Sequence, residues 1–402
     1  MTVPNRNTLF MTRLFTMLAL LAGLSWFALP SFAQSEPWRQ FREDGDRLLG
    51  ERKYREAEES YVLALKAAER FGLDDPRVAG CLNSLALLYY TQHRYELAEP
   101  LYWRAARILE SALGPHHPEL ATLLENLAEL QQVRGKPTDL IPLLRRVVAI
   151  HERANGSTDD SLREPIVKLS RAYFSEGRLR EAAAALERAV KLSKARFGAD
   201  HLEYADLLND LGVIYNSDGH PERAAPLLEE SLAVRARHLD RADPKLASGY
   251  ANLAAIYRGR FQLAEAERLL GEALRLRELP AGTDPAAKAT DLNNLAEVHR
   301  LQRDFTTAGS LYREALDVWE KAVGPDHPET ATALHNWAAL HRDQGRYENA
   351  APMLERSLRI LETTLGSEHA TVAVVLTTYL DVLRGQGRNE EASRIEARLE
   401  GF

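Results

Sequence analysis

A short phrase recurs along this chain at a constant spacing of 42 residues. The spacing relates Asn252-Leu253-Ala254, Asn294-Leu295-Ala296 and Asn336-Trp337-Ala338, and Asn126-Leu127-Ala128 falls on the same grid. A unit that recurs about nine times builds a stack of modules, because each module buries its apolar face only against its neighbours. The repeat therefore predicts one continuous array, where length alone would suggest several separate domains.

Two amphipathic helices fit within one module, residues 287–328. Apolar or small residues follow the i, i+3, i+4, i+7 pattern in each half. The first helix carries Leu292, Leu295, Ala296 and His299, and the second carries Ala308, Leu311, Tyr312, Ala315, Leu316 and Trp319. Because only the short turn Gln302-Arg303-Asp304 separates them, the helices are predicted to run antiparallel. Glycine and proline mark the module ends, as in Gly324-Pro325-Asp326-His327-Pro328.

This pattern resembles the tetratricopeptide repeat, and its 42-residue form with Gly-Pro-x-His-Pro joints is similar to the kinesin light chain subgroup. The resemblance is carried by Leu292, Leu295, Ala296, Ala308, Tyr312 and Ala315 and, 42 residues later, by Leu334, Trp337, Ala338, Ala350, Leu354 and Ser357. It implies an all-α fold, an α-solenoid that forms a right-handed superhelix of about nine antiparallel helix-pair repeats. It also implies a concave inner wall formed by the first helix of each pair.

The array is expected to span residues 34–402. Its repeats are expected near residues 36–74, 76–114, 118–156, 160–198, 202–240, 244–280, 285–324, 328–366 and 370–400.

Residues 1–33 differ in kind from the rest. Arg6 and Arg13 precede an apolar stretch from Leu14 to Pro30, and Ser31-Phe32-Ala33 offers small residues at the two positions that a signal peptidase reads. We expect a signal peptide over residues 1–33, cleaved after Ala33, and an exported protein that is periplasmic or secreted in a bacterium. An uncleaved anchor is the alternative, although the apolar run is short for a membrane span.

The net charge of the chain and its cysteine count limit the functions that the protein can have. The net charge of -7 and the pI of about 6.0 argue against nucleic-acid binding, which requires a basic footprint. Cys81 is the only cysteine, so no intramolecular disulfide can form. Its apolar helical surroundings favour a buried small side chain over a reactive thiol.

The sequence shows no motif for catalysis or cofactor binding. It lacks His-Glu-x-x-His, a Gly-rich phosphate loop and Gly-x-Ser-x-Gly. Histidines stand at the module joints, at His116, His117, His201, His327 and His369. Metal ligands lie about 2 Å from one ion, and only His116 and His117 are close enough in sequence to meet there. Turn chemistry is the simpler interpretation, and we predict no enzyme activity, no cofactor and no metal site.

One register of the first helices carries an arginine in four consecutive modules. We call this set the arginine ladder: Arg258, Arg300, Arg342 and Arg384. If Leu292 and His299 face the core, the step of about 100° per residue places Asn293 and Glu297 with Arg300 on the stripe that should line the concave wall. Two interpretations stay open: each arginine pairs with an Asp or Glu on a neighbouring helix, or the ladder binds acidic side chains or a peptide carboxylate.

Asparagines occupy a neighbouring register, at Asn126, Asn252, Asn294 and Asn336. An asparagine amide both donates and accepts, so it can bridge adjacent helices. The resemblance to kinesin light chains implies a second role, contact with the backbone of an extended ligand. The candidate groove residues are Arg258, Arg300, Arg342, Arg384, Asn252, Asn293, Asn294 and Asn336.

These observations favour an exported, non-enzymatic scaffold that binds a segment of a partner protein or peptide in its concave groove. The arginines favour acidic character in that partner. We expect no nucleic-acid partner and no stable membrane span after signal cleavage. The alternative is a structural or assembly protein that self-associates, or docks onto an envelope complex, through its convex face or end helices.

Overall fold

The computed structural model describes residues 36–135, 140–279 and 284–402, and within them the chain forms eighteen α-helices and no strand. The predicted all-α solenoid is confirmed. The proposed signal peptide, residues 1–33, lies outside the described residues. None of the described helices is both long enough and apolar enough to cross a bilayer.

The helices alternate between a first (odd-numbered) and a second (even-numbered) member of each pair. They are α1 (Pro37–Gly50), α2 (Tyr54–Ala68), α3 (Pro76–Thr91), α4 (Tyr95–Leu113), α5 (Pro118–Val133), α6 (Leu140–Asn155), α7 (Arg163–Ser175), α8 (Leu179–Phe197), α9 (Leu202–Ser217), α10 (Pro221–His238), α11 (Pro244–Gly259), α12 (Leu263–Arg277), α13 (Pro285–Leu301), α14 (Phe305–Ala322), α15 (Pro328–Asp343), α16 (Tyr347–Leu365), α17 (Ala370–Gly385) and α18 (Asn389–Leu399).

The chain divides into two compact units, the first ending at Ile108 and the second comprising Leu109–Phe402. In the first unit α1 packs against α2 and α3. In the second unit the helices of each pair pack together, from α5 with α6 to α17 with α18. The first helices α9, α11, α13, α15 and α17 also contact one another in order, so equivalent positions of successive repeats lie side by side.

Within the described residues, each turn between the two helices of a pair contains one residue with positive φ. These residues are Arg52, His93, Gly135, Gly177, Gly219, Phe261, Arg303, Gly345 and Gly387. At Gly345 the amide donates to the carbonyl of Arg342 (2.9 Å), and the next amide, of Arg346, donates to His341 (2.9 Å). This pair of bonds is the Schellman motif, which ends a helix on a left-handed residue.

The joints between pairs use Asp and His side chains as helix N-caps. At His117, His201, His327 and His369 the ring Nδ1 accepts the N–H of the residue two positions later, as for His117 and Glu119 at 3.3 Å. Carboxylates of Asp75, Asp159 and Asp243 do the same at equivalent joints. Such a cap satisfies an amide that has no intrahelical partner. The prediction that the joint histidines serve turn chemistry is confirmed for these four.

The hydrophobic core lies between successive helix pairs and is not confined to one globule. In the second unit one apolar cluster includes Leu292, Trp319, Leu334, Leu354 and Leu376, from five successive helices. The predicted small contacts Ala296, Ala308 and Ala315 are fully buried, as is Cys81 in the first unit. Burial raises the pKa of the Cys81 thiol to about 11, so the thiol stays protonated near neutral pH.

The core face of α13 differs in part from the sequence prediction. Leu295 and His299 were expected in the core and are only half-buried, whereas Val298 and Asn293 are buried. The reason is that a first helix packs on two sides, against its own pair and against the adjacent first helices. A single amphipathic stripe accounts for only one of these contacts.

An ion pair is buried where α12 meets α13. Arg277 Nε donates to Asp291 Oδ2, and the two side chains are 5% and 2% exposed. Burial raises the pKa of Asp291, and the guanidinium of Arg277 opposes that rise.

Candidate partner-binding face

The arginine ladder lies near the C-terminal ends of four consecutive first helices. Arg258 is on α11, Arg300 on α13, Arg342 on α15 and Arg384 on α17. Because α11, α13, α15 and α17 contact one another in order, the structure places the four arginines on adjacent helices, as the register predicts.

Arg300 is held by acceptors on two helices. Its Nε and Nη2 each donate to Glu297 at 2.8 Å, and its Nη1 donates to Asp343 of α15. The Tyr312 hydroxyl donates to the same Glu297 carboxylate at 2.8 Å. Burial favours a raised pKa for Glu297, but the Arg300 hydrogen bonds and charge outweigh it, and the pKa lies below its ordinary value. Glu297 is therefore a charged structural acceptor near neutral pH.

Arg342 and Arg384 are also paired. Arg342 donates to Asp343 on its own helix at 3.0 Å and to Asp381 of α17 at 3.3 Å. Arg384 donates to Glu396 of α18. The pairing interpretation is thus confirmed for three of the four arginines.

Arg258 differs from the other three. It makes no hydrogen bond or ion pair with any residue in the described parts of the chain. The two acceptors of Arg300, at Glu297 and Asp343, correspond 42 residues earlier to Ala255 and Leu301. Neither side chain can accept a hydrogen bond. The positive charge of Arg258 acts on Glu297 of α13 and, together with the larger effect of Arg300, lowers the pKa of that carboxyl.

Pairs of asparagine side chains also hydrogen-bond between successive first helices. Asn252 Nδ2 donates to Asn209 Oδ1, and Asn336 Nδ2 donates to Asn293 Oδ1, both at 3.1 Å. The bridging role predicted for the asparagine register is therefore confirmed for Asn252 and Asn336. Asn293 is only 6% exposed, because it is the buried acceptor of such a bridge and not an open wall residue.

Asn294 lacks the corresponding partner. The residue that should face it from α11 is Ala251, which occupies the register of Asn209 and Asn293. Within the described residues the half-buried Asn294 side chain makes no hydrogen bond. The sequence could have predicted this difference if the residue at the acceptor position of each repeat had been compared along with the residue at the donor position.

The two unpaired donors belong to one junction, which we call the α11–α13 gap: Arg258 and Asn294, with Ala251, Ala255 and Leu301 in the acceptor positions. Asn294 lies about one helical turn from Glu297. The charge of Arg258 contributes to the lowered pKa of that Glu297 carboxyl. The gap therefore offers a guanidinium and an amide on adjacent helices, both with unused N–H groups.

Comparison with known proteins places the chain in a family. A family model described as tetratricopeptide repeat matches residues 119–195, 165–237, 288–363 and 329–399. A second model with the same description matches residues 78–119 and 246–279. The matched ranges together cover more than half of the chain. No curated protein matches the sequence.

Three solved structures align with part of this chain at low identity. BtubC (BKLC) from P. vanneervenii is 23% identical, with a TM-score of 0.47, over 56% of this chain and 90% of that one. A structure of nearly identical TPR-like repeats from Podosopora anserina, described as a putative kinesin light chain, is 22% identical, with a TM-score of 0.43, over 52% of this chain and 98% of that one. The C-terminal part of a TPR repeat-containing protein from Cytophaga hutchinsonii is 16% identical, with a TM-score of 0.48, over 69% and 95%.

Proposed function

Because this chain belongs to the tetratricopeptide repeat family, we propose that it is a non-enzymatic interaction scaffold that binds a partner segment at the α11–α13 gap. Proteins with this fold commonly mediate protein–protein interaction. The observation that carries the choice of site is the absence of a described partner for both Arg258 and Asn294.

The chemistry of the gap suits an extended acidic segment. A guanidinium can hold a carboxylate with two parallel hydrogen bonds, and an amide can pair with a peptide group without reading its side chain. A hydrogen bond to a charged group contributes about 1.5–3 kcal/mol. Arg300, Arg342 and Arg384 have intramolecular acceptors to lose on binding, so they contribute less to capture than Arg258 does.

The proposed function can be tested with a charge reversal and a matched control. Arg258→Glu should abolish capture of partner proteins from an envelope extract, because it replaces the unpaired donor with a repelling carboxylate. Arg384→Glu, at the ladder position whose side chain is most exposed among the paired arginines, should retain most of the capture. Equal capture by Arg258→Glu and the unaltered protein, with unchanged helical circular dichroism, would remove the gap as the binding site.

We propose further that the protein is exported and acts in the periplasm or outside a bacterial cell. The support is the charge and apolar pattern of residues 1–33. N-terminal sequencing of protein recovered from the envelope should read Gln34-Ser35-Glu36. A start at Met1 would contradict cleavage.

A further inference from the structure

The turn between α11 and α12 carries an exposed aromatic side chain on an unfavourable backbone. Phe261 is 74% exposed and has φ of 57°. A left-handed conformation disfavours bulky side chains, and five equivalent turns place glycine there. The Phe261 amide donates to Arg258 O (2.9 Å), which completes the helix end with backbone atoms alone. Glycine would serve the fold at least as well, so the ring itself needs another explanation.

One arginine precedes Phe261 in the chain and another holds the equivalent position of the next turn, and neither forms a described ion pair. Arg260 precedes it and donates to the carbonyl of Pro221 at 2.8 Å, and Arg303 holds the equivalent position of the next turn, with φ of 63°. Turns of adjacent repeats are on the order of 10 Å apart, the usual separation of packed helices. We call Arg260, Phe261 and Arg303 the Phe261 edge.

Nearby carboxylates make hydrogen bonds to groups other than Arg260 and Arg303. Glu265 accepts from Arg268 at 2.5 Å, and Glu267 accepts from Gln302 at 2.8 Å. Asp304 accepts the amide of Thr307 at 3.2 Å. In the described part of the chain, no carboxylate lies within 4.0 Å of a charged nitrogen of Arg260 or Arg303. The edge therefore combines an exposed ring with two cations on a chain whose net charge is -7.

We propose that the Phe261 edge is a second docking surface, separate from the α11–α13 gap, for an acidic segment of a partner protein whose apolar pocket receives the Phe261 ring. Aromatic residues and arginine dominate the binding energy of protein interfaces when the partner desolvates them. Carboxylates of the partner would pair with Arg260 and Arg303. The surface should therefore bind an acidic segment in preference to a basic one.

The surface can be probed with a photoreactive phenylalanine analogue, p-benzoylphenylalanine, placed at position 261 of the full chain in cells. The same analogue at Phe174 is a matched control, since Phe174 is an exposed phenylalanine (40%) near the end of another first helix. The proposal predicts an adduct at position 261, absent at 174, whose crosslinked peptide is rich in Asp and Glu. Arg303→Glu, or about 0.5 M salt, should reduce the adduct by about five-fold or more, because both weaken charge pairing.

Other outcomes would overturn the proposal. These are an adduct with lipid or with a second copy of this chain, an adduct with a non-acidic peptide, no adduct, or an unchanged yield with Arg303→Glu. Asn294→Ala, which removes a donor of the α11–α13 gap without changing the charge, should leave the adduct intact, so the two proposed surfaces can fail independently.

A stability measurement separates binding from a structural role. Phe261→Gly should raise the urea midpoint and abolish binding at the edge, whereas Gly345→Phe, which creates the strained aromatic at an equivalent turn, should lower the midpoint. A lower midpoint for Phe261→Gly would show that the ring supports the fold and would contradict the proposal.

Discussion

Two neighbouring junctions of the second unit, α13–α15 and α11–α13, use the same register positions and hold different residues there. At α13–α15, Asn293 and Asp343 accept hydrogen bonds from the facing helix. At α11–α13, Ala251 and Leu301 take the equivalent positions and accept none. The helices pack at both junctions. Apolar contacts thus build the repeat, while single substitutions within a register decide which donors remain available to a partner.

The largest expected effect tests whether the helices beside the α11–α13 gap are weakly packed. Arg277→Ala should lower the free energy of unfolding by about 3–5 kcal/mol, because it leaves the buried Asp291 carboxylate uncompensated. The control Arg275→Ala removes an exposed pair with Glu272 and should cost under about 1 kcal/mol. Urea unfolding followed by circular dichroism measures both. Equal small losses would mean that this region is weakly packed, and the unpaired donors would then reflect disorder of the junction.

A pH effect should arise at the next filled junction, α15–α17. His335 Nε2 lies 2.9 Å from Thr378 Oγ1, and burial lowers the pKa of His335 to about 4, with Arg342 and Arg300 adding repulsion and Glu297 opposing it. The unfolded state therefore binds more protons between pH 4 and 6.5, and stability present above pH 6.5 is lost as the pH falls toward 4.

The measurement is urea unfolding at pH 7.5 and pH 5. The His335 contribution should fall by about 2 kcal/mol between these values, an amount that partial exposure of the ring will reduce. His335→Asn keeps a polar side chain without the titration and should show a correspondingly smaller pH dependence. The same pH dependence in both proteins would contradict the assignment.

Adjacent asparagines provide the sharpest test of the comparison. Asn293→Ala should cost about 1–2 kcal/mol, because it removes the buried acceptor of Asn336. Asn294→Ala should change stability by under about 0.5 kcal/mol, because that amide has no described partner. Identical losses in urea unfolding would show that the two junctions do not differ as described.

The smallest expected effect comes from placing a hydrogen-bond acceptor in the α11–α13 gap. Ala251→Asn supplies the missing acceptor and should stabilise the protein by about 0.5–1 kcal/mol while weakening partner capture. The gain should disappear in an Asn294→Ala background, which makes a double-mutant cycle the appropriate measurement. A gain that persists without Asn294 would have another cause.

The sequence predicted much of the fold and part of the candidate site. The 42-residue spacing and the joint residues identified helix pairs and their ends, and the asparagine register predicted bridges that the structure contains. The burial of Asn293 and the partial exposure of His299 were not predicted, because α13 packs on two sides. The export signal and the partner stay predictions.

Local periodicity and capping were sufficient to determine the all-α repeat architecture, because helix formation and pairing depend on residues within about one module. The tertiary structure decided which polar groups stay unpaired. Arg258 and Arg300 look alike in sequence, yet one acceptor of Arg300 is Asp343, 43 positions further along on the next first helix, and the equivalent position for Arg258 holds Leu301, which accepts no hydrogen bond. An unused donor is a property of two helices together, so the residue type alone does not reveal it.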